Sequence, residues 1–269
     1  MDTRPIGVFD SGIGGITAVK RIMEVLPQES IIYLGDTLRA PYGSRPVEEI
    51  IEFASEEAAF LAALDVKAMI IACNTICFST HEILQNLYDM PIYEVINPAA
   101  RAAVAKTKNK KIGVIATSAT IKSNAYAEAV KKAAPDVGVF SAECPRFVPL
   151  VESGKVSADD PEAFTAASEY LAPLCAEGID TLILGCTHYP LLSGVISRVA
   201  GPNVALINSG AEVISCVEED LKNKNMLNES GKKGTAKYYV TGDVKQFGKT
   251  ASIFLGQDID QFVEQCKLG

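Results

Sequence analysis

The sequence predicts an α/β protein of two similar lobes. Each is a mainly parallel sheet flanked by helices, and the lobes are expected to be related by a pseudo-twofold axis with the active site between them. Three observations lead there. Short apolar runs of strand length alternate with longer stretches of helical periodicity, the pattern of parallel sheets with crossover helices. The segment Ile70-Ile71-Ala72-Cys73-Asn74-Thr75 aligns without a gap on Ile183-Leu184-Gly185-Cys186-Thr187-His188. Two further pairs follow in the same order: Ile6-Gly7-Val8-Phe9 with Ile112-Gly113-Val114-Ile115, and Ile96-Asn97-Pro98-Ala99-Ala100 with Ile207-Asn208-Ser209-Gly210-Ala211. A repeat this long implies two structurally equivalent halves rather than a solenoid. The expected lobes are residues 1–97 plus 208–269 and residues 98–207.

Taken in order, residues 6–9 read as a strand. The Gly-rich turn Asp10-Ser11-Gly12-Ile13-Gly14-Gly15 follows, then a helix over 16–26. Residues 31–34 are a strand, and 35–46 a long turn-rich loop of the kind that carries binding groups. A long amphipathic helix covers 47–64. Residues 66–72 form the strand leading to Cys73, 79–87 a helix, 92–96 a strand and 98–106 a helix. The second half opens with a strand at 111–116 and the hydroxyl-rich turn Thr117-Ser118-Ala119-Thr120. A helix at 123–133 and a strand at 137–141 come next. Residues 146–154 read as a loop bearing Glu152, and 160–177 as a helix interrupted near Pro173. The strand at 181–184 runs into Cys186, and Pro190 opens a further helix. A strand at 204–207, a helix at 210–224, a polar loop at 223–233 and a strand at 237–241 precede a final helix at 259–266. This tail has no counterpart in the repeat and is expected to return to the first lobe.

At 269 residues with 48% hydrophobic composition, the chain can bury a sizeable core in one large or two modest domains. A formal net charge of −8 argues against a nucleic-acid or anionic-membrane surface. The start Met-Asp-Thr-Arg-Pro lacks a secretory apolar region, and no apolar run is long enough to span a bilayer. Seven scattered cysteines form no disulfide framework, which fits a reducing, cytoplasmic setting.

Cysteines 73 and 186 stand where strands of an open α/β sheet meet the following helix, the usual place for a ligand. The remaining cysteines, Cys77, Cys144, Cys175, Cys216 and Cys266, read as structural. His81 reads as a surface or capping residue. Cys73, Cys77, Cys186 and His188 could be drawn as a zinc site, but catalytic zinc shows clearer His or carboxylate spacing, so no metal is expected. The turn at 10–15 resembles a dinucleotide fingerprint with Asp36 at a plausible distance. Thr17 occupies the third glycine position, however, and Asp10 would repel a pyrophosphate. Asp10 suits an ammonium group instead. Pro41-Tyr42-Gly43-Ser44 offers backbone N–H groups and a hydroxyl, a cradle for a carboxylate. A two-lobed amino-acid sensor without turnover stays open on these residues.

Taken together, Asp10-Ser11-Gly12-Ile13-Gly14-Gly15, Pro41-Tyr42-Gly43, Cys73-Asn74-Thr75, Glu152 and Gly185-Cys186-Thr187-His188 resemble the glutamate racemases of the aspartate/glutamate racemase family. The resemblance covers nearly the whole chain. It implies cofactor-independent interconversion of L- and D-glutamate for peptidoglycan synthesis by a homodimer, with aspartate the closest rival substrate. It implies that Cys73 takes the proton from D-glutamate and Cys186 from L-glutamate, with Asp10 and His188 assisting and Asp36 and Glu152 in support. Asp10, Ser11, Asn74, Thr75, Thr187 and His188 would hold the amino and α-carboxylate end. Pro41, Tyr42, Gly43, Ser44, Thr117 and Thr120 would hold the side-chain carboxylate. The chain lacks the N-terminal extension of members activated by a cell-wall precursor.

Overall fold

The computed structural model describes residues 1–269 throughout. The chain divides into two compact units, Met1–Val95 with Val213–Gly269, and Ile96–Glu212.

The first unit opens with β1 (Ile6–Asp10), α1 (Ile16–Val25), β2 (Ile31–Gly35), α2 (Val47–Ala63), β3 (Ala68–Ile71), α3 (Asn74–Leu87) and β4 (Ile92–Glu94). A short 3-10 turn, Tyr42–Ser44, sits within the loop before α2. The second unit contains α4 (Ile96–Lys106), β5 (Lys111–Ala116), α5 (Ser118–Lys122), α6 (Ala125–Ala133), β6 (Gly138–Glu143), α7 (Phe147–Glu152), α8 (Pro161–Ala176), β7 (Thr181–Gly185), α9 (Ser193–Ala200) and β8 (Ala205–Asn208). Helix α10 (Ser209–Asn223) carries the chain back to the first unit, which ends with β9 (Ala236–Val240), α11 (Val244–Leu255) and β10 (Val263–Gln265).

The first unit's sheet has six strands in the order β10-β9-β2-β1-β3-β4, and the second unit's has four in the order β6-β5-β7-β8. Every pairing is parallel. Counted within each unit, β2-β1-β3-β4 and β6-β5-β7-β8 share one order: second strand, first, third, fourth. The sequence repeat is thus a repeat of topology. All five residues of β1 and all five of β7 are buried. Successive side chains of a strand point to opposite faces, so both faces of each sheet are covered, as parallel sheets require. Helix α1 packs with α11 and α2 with α3 in the first unit; α4 packs with α6, and α8 with α9, in the second. No helix is long and apolar enough to cross a membrane.

Several elements differ from the sequence expectation. Helix α3 begins at Asn74, directly after Cys73, and not at residue 79. The 146–154 segment is helical, and Glu152 is the last residue of α7 instead of a loop residue. Pro149 is compatible because the first turn of a helix leaves its N–H groups without intrahelical partners. Helix α8 runs through Pro173 without a break. That proline is exposed, so water can reach the backbone acceptor that its missing N–H leaves open. The tail expected to be helical at 259–266 is a 3-10 turn at Asp260–Phe262 followed by β10. The true C-terminal helix is α11. Asp243 caps its start by accepting from Gln246 N at 2.9 Å, and Gly256 ends it at φ 74°.

Candidate functional site

Parallel registry sets the positions of the candidate residues. In the first unit, Asp10 pairs with Gly35 and Phe9 with Ile71. Asp10, Asp36 and Cys73 therefore leave the sheet at one end, its carboxyl end. In the second unit Ala116 pairs with Gly185, which brings Thr117 and Cys186 to the equivalent edge. The small residue before each cysteine is required by close packing. A Cβ on Gly185 would lie 3.0 Å from both Ala116 Cβ and Ile115 O. Ala72 fills the same position in the first unit and already crowds Gly15, where an added Cβ would come within 3.0 Å of Ala72 Cβ.

Cys73 is the N-cap residue of the fourteen-residue α3 and is buried, 6% exposed. Its carbonyl accepts from Ile76 N and Cys77 N, which starts the helix. The sulfur shares a hydrogen bond of 3.4 Å with Ser11 Oγ. A thiol at a helix N-terminus faces the positive end of the macrodipole, which favours the thiolate. Asp10 is completely buried, and its Oδ2 accepts from Gly12 N at 3.1 Å. Beneath the turn, buried Tyr33 donates its hydroxyl to Gly12 O at 2.8 Å.

Cys186 is equally buried, 7% exposed, and its surroundings differ. Its Sγ lies 3.8 Å from His188 Nδ1, and His188 Nε2 lies 3.2 Å from Glu152 Oε1. His188 is the N-cap of the 3-10 turn Tyr189–Leu192 that precedes α9. Asn74, Thr75, Thr120 and Thr187 are all buried polar residues beside the two cysteines or at the β5 turn. Thr117 caps α5 and shares a hydrogen bond of 3.1 Å with Thr120, hydroxyl to hydroxyl.

The loop after β2 is anchored on Asp36, which is completely buried. Asp36 Oδ2 accepts from Arg39 Nε at 2.5 Å and from the Tyr42 hydroxyl. Its Oδ1 accepts from Thr241 Oγ1 at 2.7 Å. Arg39 also donates to Glu56 Oε2 at 2.5 Å and lies over the Phe53 ring at 3.9 Å. The Tyr42 hydroxyl is thereby committed, and within residues 41–44 Pro41 and Ser44 are exposed and Gly43 is half-buried.

The other cysteines differ in kind. Burial first, then Glu94, push the Cys77 thiol well above its ordinary value, and Cys77 donates to Ile71 O at 3.3 Å. Burial, then Cys186, also push up Cys144. Cys266 is pushed up to about 11 by burial. His81 is half-buried and joins α3 to β4 through Ile92 O at 3.0 Å. Two members of this neighbourhood escape sequence reading: Thr241, distant in the chain, and Glu57, a completely buried carboxyl on α2.

Residues 16–217 match the family described as Asp/Glu/Hydantoin racemase. Glutamate racemase 2 of Caldanaerobacter subterraneus subsp. tengcongensis is 43% identical over 261 residues, 97% of each chain. Among solved structures, glutamate racemase isoform RacE1 of Bacillus anthracis is 39% identical with TM-score 0.94, over 99% of this chain and 98% of that one. The Francisella tularensis glutamate racemase in complex with D-glutamate is also 39% identical over the same shares, with TM-score 0.91. With the same two parallel sheets and near-complete coverage, this chain belongs to the Asp/Glu/Hydantoin racemase family and is a racemase, an enzyme of the isomerase class.

Proposed function

We propose that this enzyme interconverts L- and D-glutamate without a cofactor, by a two-base proton transfer in which Cys73 and Cys186 act on opposite faces of the α-carbon, and that it supplies D-glutamate for peptidoglycan. The observation that carries this reading is the duplicated cysteine: one buried sulfur after the third strand of each unit, in sheets that share a four-strand core of the same order. The substrate assignment draws on the relatives, whose names are glutamate racemases.

In the direction from D-glutamate, the Cys73 thiolate takes the α-proton and becomes a thiol, and the electron pair of the C–H bond passes into the carboxylate-stabilised carbanion. The Cys186 thiol then delivers its proton to the other face and becomes the thiolate. From L-glutamate the roles reverse. An α-hydrogen is a very weak acid, so donors aimed at the developing charge must carry much of the work. Asn74, Thr75, Thr187 and the Ser11 hydroxyl are the donors this reading assigns. An ionised carboxylate only accepts hydrogen bonds. Glu152 therefore keeps the proton of His188 on Nε2, and Nδ1 is left as the acceptor facing the Cys186 thiol. Asp10 and Ser11 stand on the Cys73 side. Pro41, Tyr42, Gly43, Ser44, Thr117 and Thr120 are assigned to the side-chain carboxylate, with Asp36 as the anchor of that loop.

The test is racemisation in deuterium oxide followed by proton NMR and circular dichroism. D-glutamate formed from L-glutamate should carry deuterium at the α-carbon while unconverted L-glutamate stays protonated early on. Cys73→Ala and Cys186→Ala should each lower turnover by about 10³-fold or more, with far from additive losses. Retained substrate hydrogen in early product, or near-normal turnover by either variant, would remove the two-thiol assignment.

A further inference from the structure

Glu57 lies on the apolar stripe of α2, in phase with Ile50, Ala54, Ala58 and Leu61, all buried. It is 0% exposed, and neither carboxyl oxygen has a hydrogen-bond partner. The groups that interact with it electrostatically come from several elements. Asp10 ends β1, Asp36 and Arg39 lie after β2, Glu56 is its helix neighbour, Tyr33 and Tyr42 bring hydroxyls, and Cys266 follows β10. The cation among them, Arg39, is bonded through Nε to Asp36 and through Nη1 to Glu56, and its Nη2 is buried without a hydrogen-bond partner. Burial first, then the Asp36 and Asp10 carboxylates, push the Glu57 pKa well above the ordinary glutamate value of 4.5. An unpaired carboxylate in such a place would carry a desolvation cost that protonation removes.

We propose that Glu57 is a positioning residue of the Asp10 and Asp36 side of the site, a buried neutral carboxylic acid that keeps its proton through turnover and so limits the negative charge around the two aspartates. Its effect is electrostatic, exerted through the two aspartates. Ionising it would place a third buried carboxylate beside Asp10 and Asp36 and would disfavour the Cys73 thiolate. The effect on activity rests on the function proposed above; the protonation state does not.

Three readouts test it on the full chain. Glu57→Gln is neutral at every pH. A carboxyl whose folded pKa is raised contributes stability fully present below its unfolded value and lost as pH rises through the folded value. E57Q should therefore melt above wild type by at least about 3 °C near pH 8, a gap that closes toward about pH 4.5. Infrared spectra of wild-type protein labelled with carbon-13 glutamate should show a protonated-carboxyl stretch near neutral pH that E57Q lacks. In activity, the alkaline limb of log kcat/KM should move to higher pH in E57Q. An E57Q gap that is negative and widens with pH, or one independent of pH, overturns the proposal. So does an infrared spectrum of wild type without the protonated band, which stays decisive even if E57Q does not fold. An unmoved alkaline limb beside the expected melting and infrared results refutes the positioning role alone. Absence of any racemisation of glutamate would refute the function while leaving the first two readouts intact.

Discussion

Glu152 Oε1 sits 3.2 Å from His188 Nε2, so the carboxylate that ends α7 orients an imidazole whose other nitrogen faces Cys186. Removing either partner should weaken the same relay. Glu152→Gln should lower kcat/KM by about 10-fold and His188→Ala by about 10²-fold or more. The double variant should lose little beyond His188→Ala alone, because residues acting as a unit are not additive. Steady-state kinetics in both directions check this. A racemase has an equilibrium constant of one, so kcat/KM must fall equally each way.

The Asp36 anchor predicts an effect reaching across the chain from Thr241. Thr241→Val removes the donor to Oδ1 while keeping shape. A hydrogen bond to a charged group contributes about 1.5–3 kcal/mol, and urea denaturation should read a loss in that range. If residues 41–44 bind the substrate, KM should rise while kcat changes less.

Lys67 and Glu29 form a buried ion pair at 2.6 Å, and Lys67 Nζ also donates to Asp2 O at 2.8 Å and Met226 O at 2.7 Å. Lys67→Met leaves Glu29 buried without its cation and should cost about 3–5 kcal/mol. Adding Glu29→Gln should recover part of that loss. Denaturant midpoints of the two variants against wild type decide it.

Asp180 accepts from Thr107 Oγ1 at 2.6 Å, Lys108 N at 2.6 Å and Asn109 N at 2.9 Å. Burial pulls its pKa upward, but these hydrogen bonds outweigh it, and the net shift is downward from 3.8. A depressed carboxyl contributes stability above its unfolded value that is lost as pH falls through the folded value. Asp180→Asn should thus melt below wild type at neutral pH, by a modest amount because the carboxylate is only half-buried. The gap should shrink as pH drops below 3.8. A melting series against pH is the check.

Much of this arrangement is legible in the chain because parallel strands buried on both faces leave uninterrupted apolar runs. Residues 6–9 and 181–184 are of that kind, and the residues that follow such runs sit at the end of the sheet where ligands bind. The less legible parts fail for identifiable reasons. Asn74 and Thr75 are poor helix formers, which hides the start of α3 at the cysteine. Pro149 masks α7. The caps of α11, Asp243 and Gly256, frame an apolar stripe of Phe247, Ala251, Phe254 and Leu255 that Gly248 interrupts, whereas the apolar residues Phe262 and Val263 lie in a segment too short for a helix. Glu57 left a signal: a charge in phase with Ile50, Ala54 and Leu61. Thr241 left none, because its partner Asp36 is 205 positions away.

The placement of β9 next to β2 has a consequence for synthesis on the ribosome. Residues 96–212 are contiguous and can fold as soon as they emerge. The N-terminal 95 residues cannot finish: β2 keeps an open edge until residues 236–240 arrive, and α1 lacks α11 until then. An open strand edge is a template for wrong pairing. A nascent chain stalled before residue 236 should therefore bear a protected central segment and a protease-sensitive, chaperone-dependent beginning.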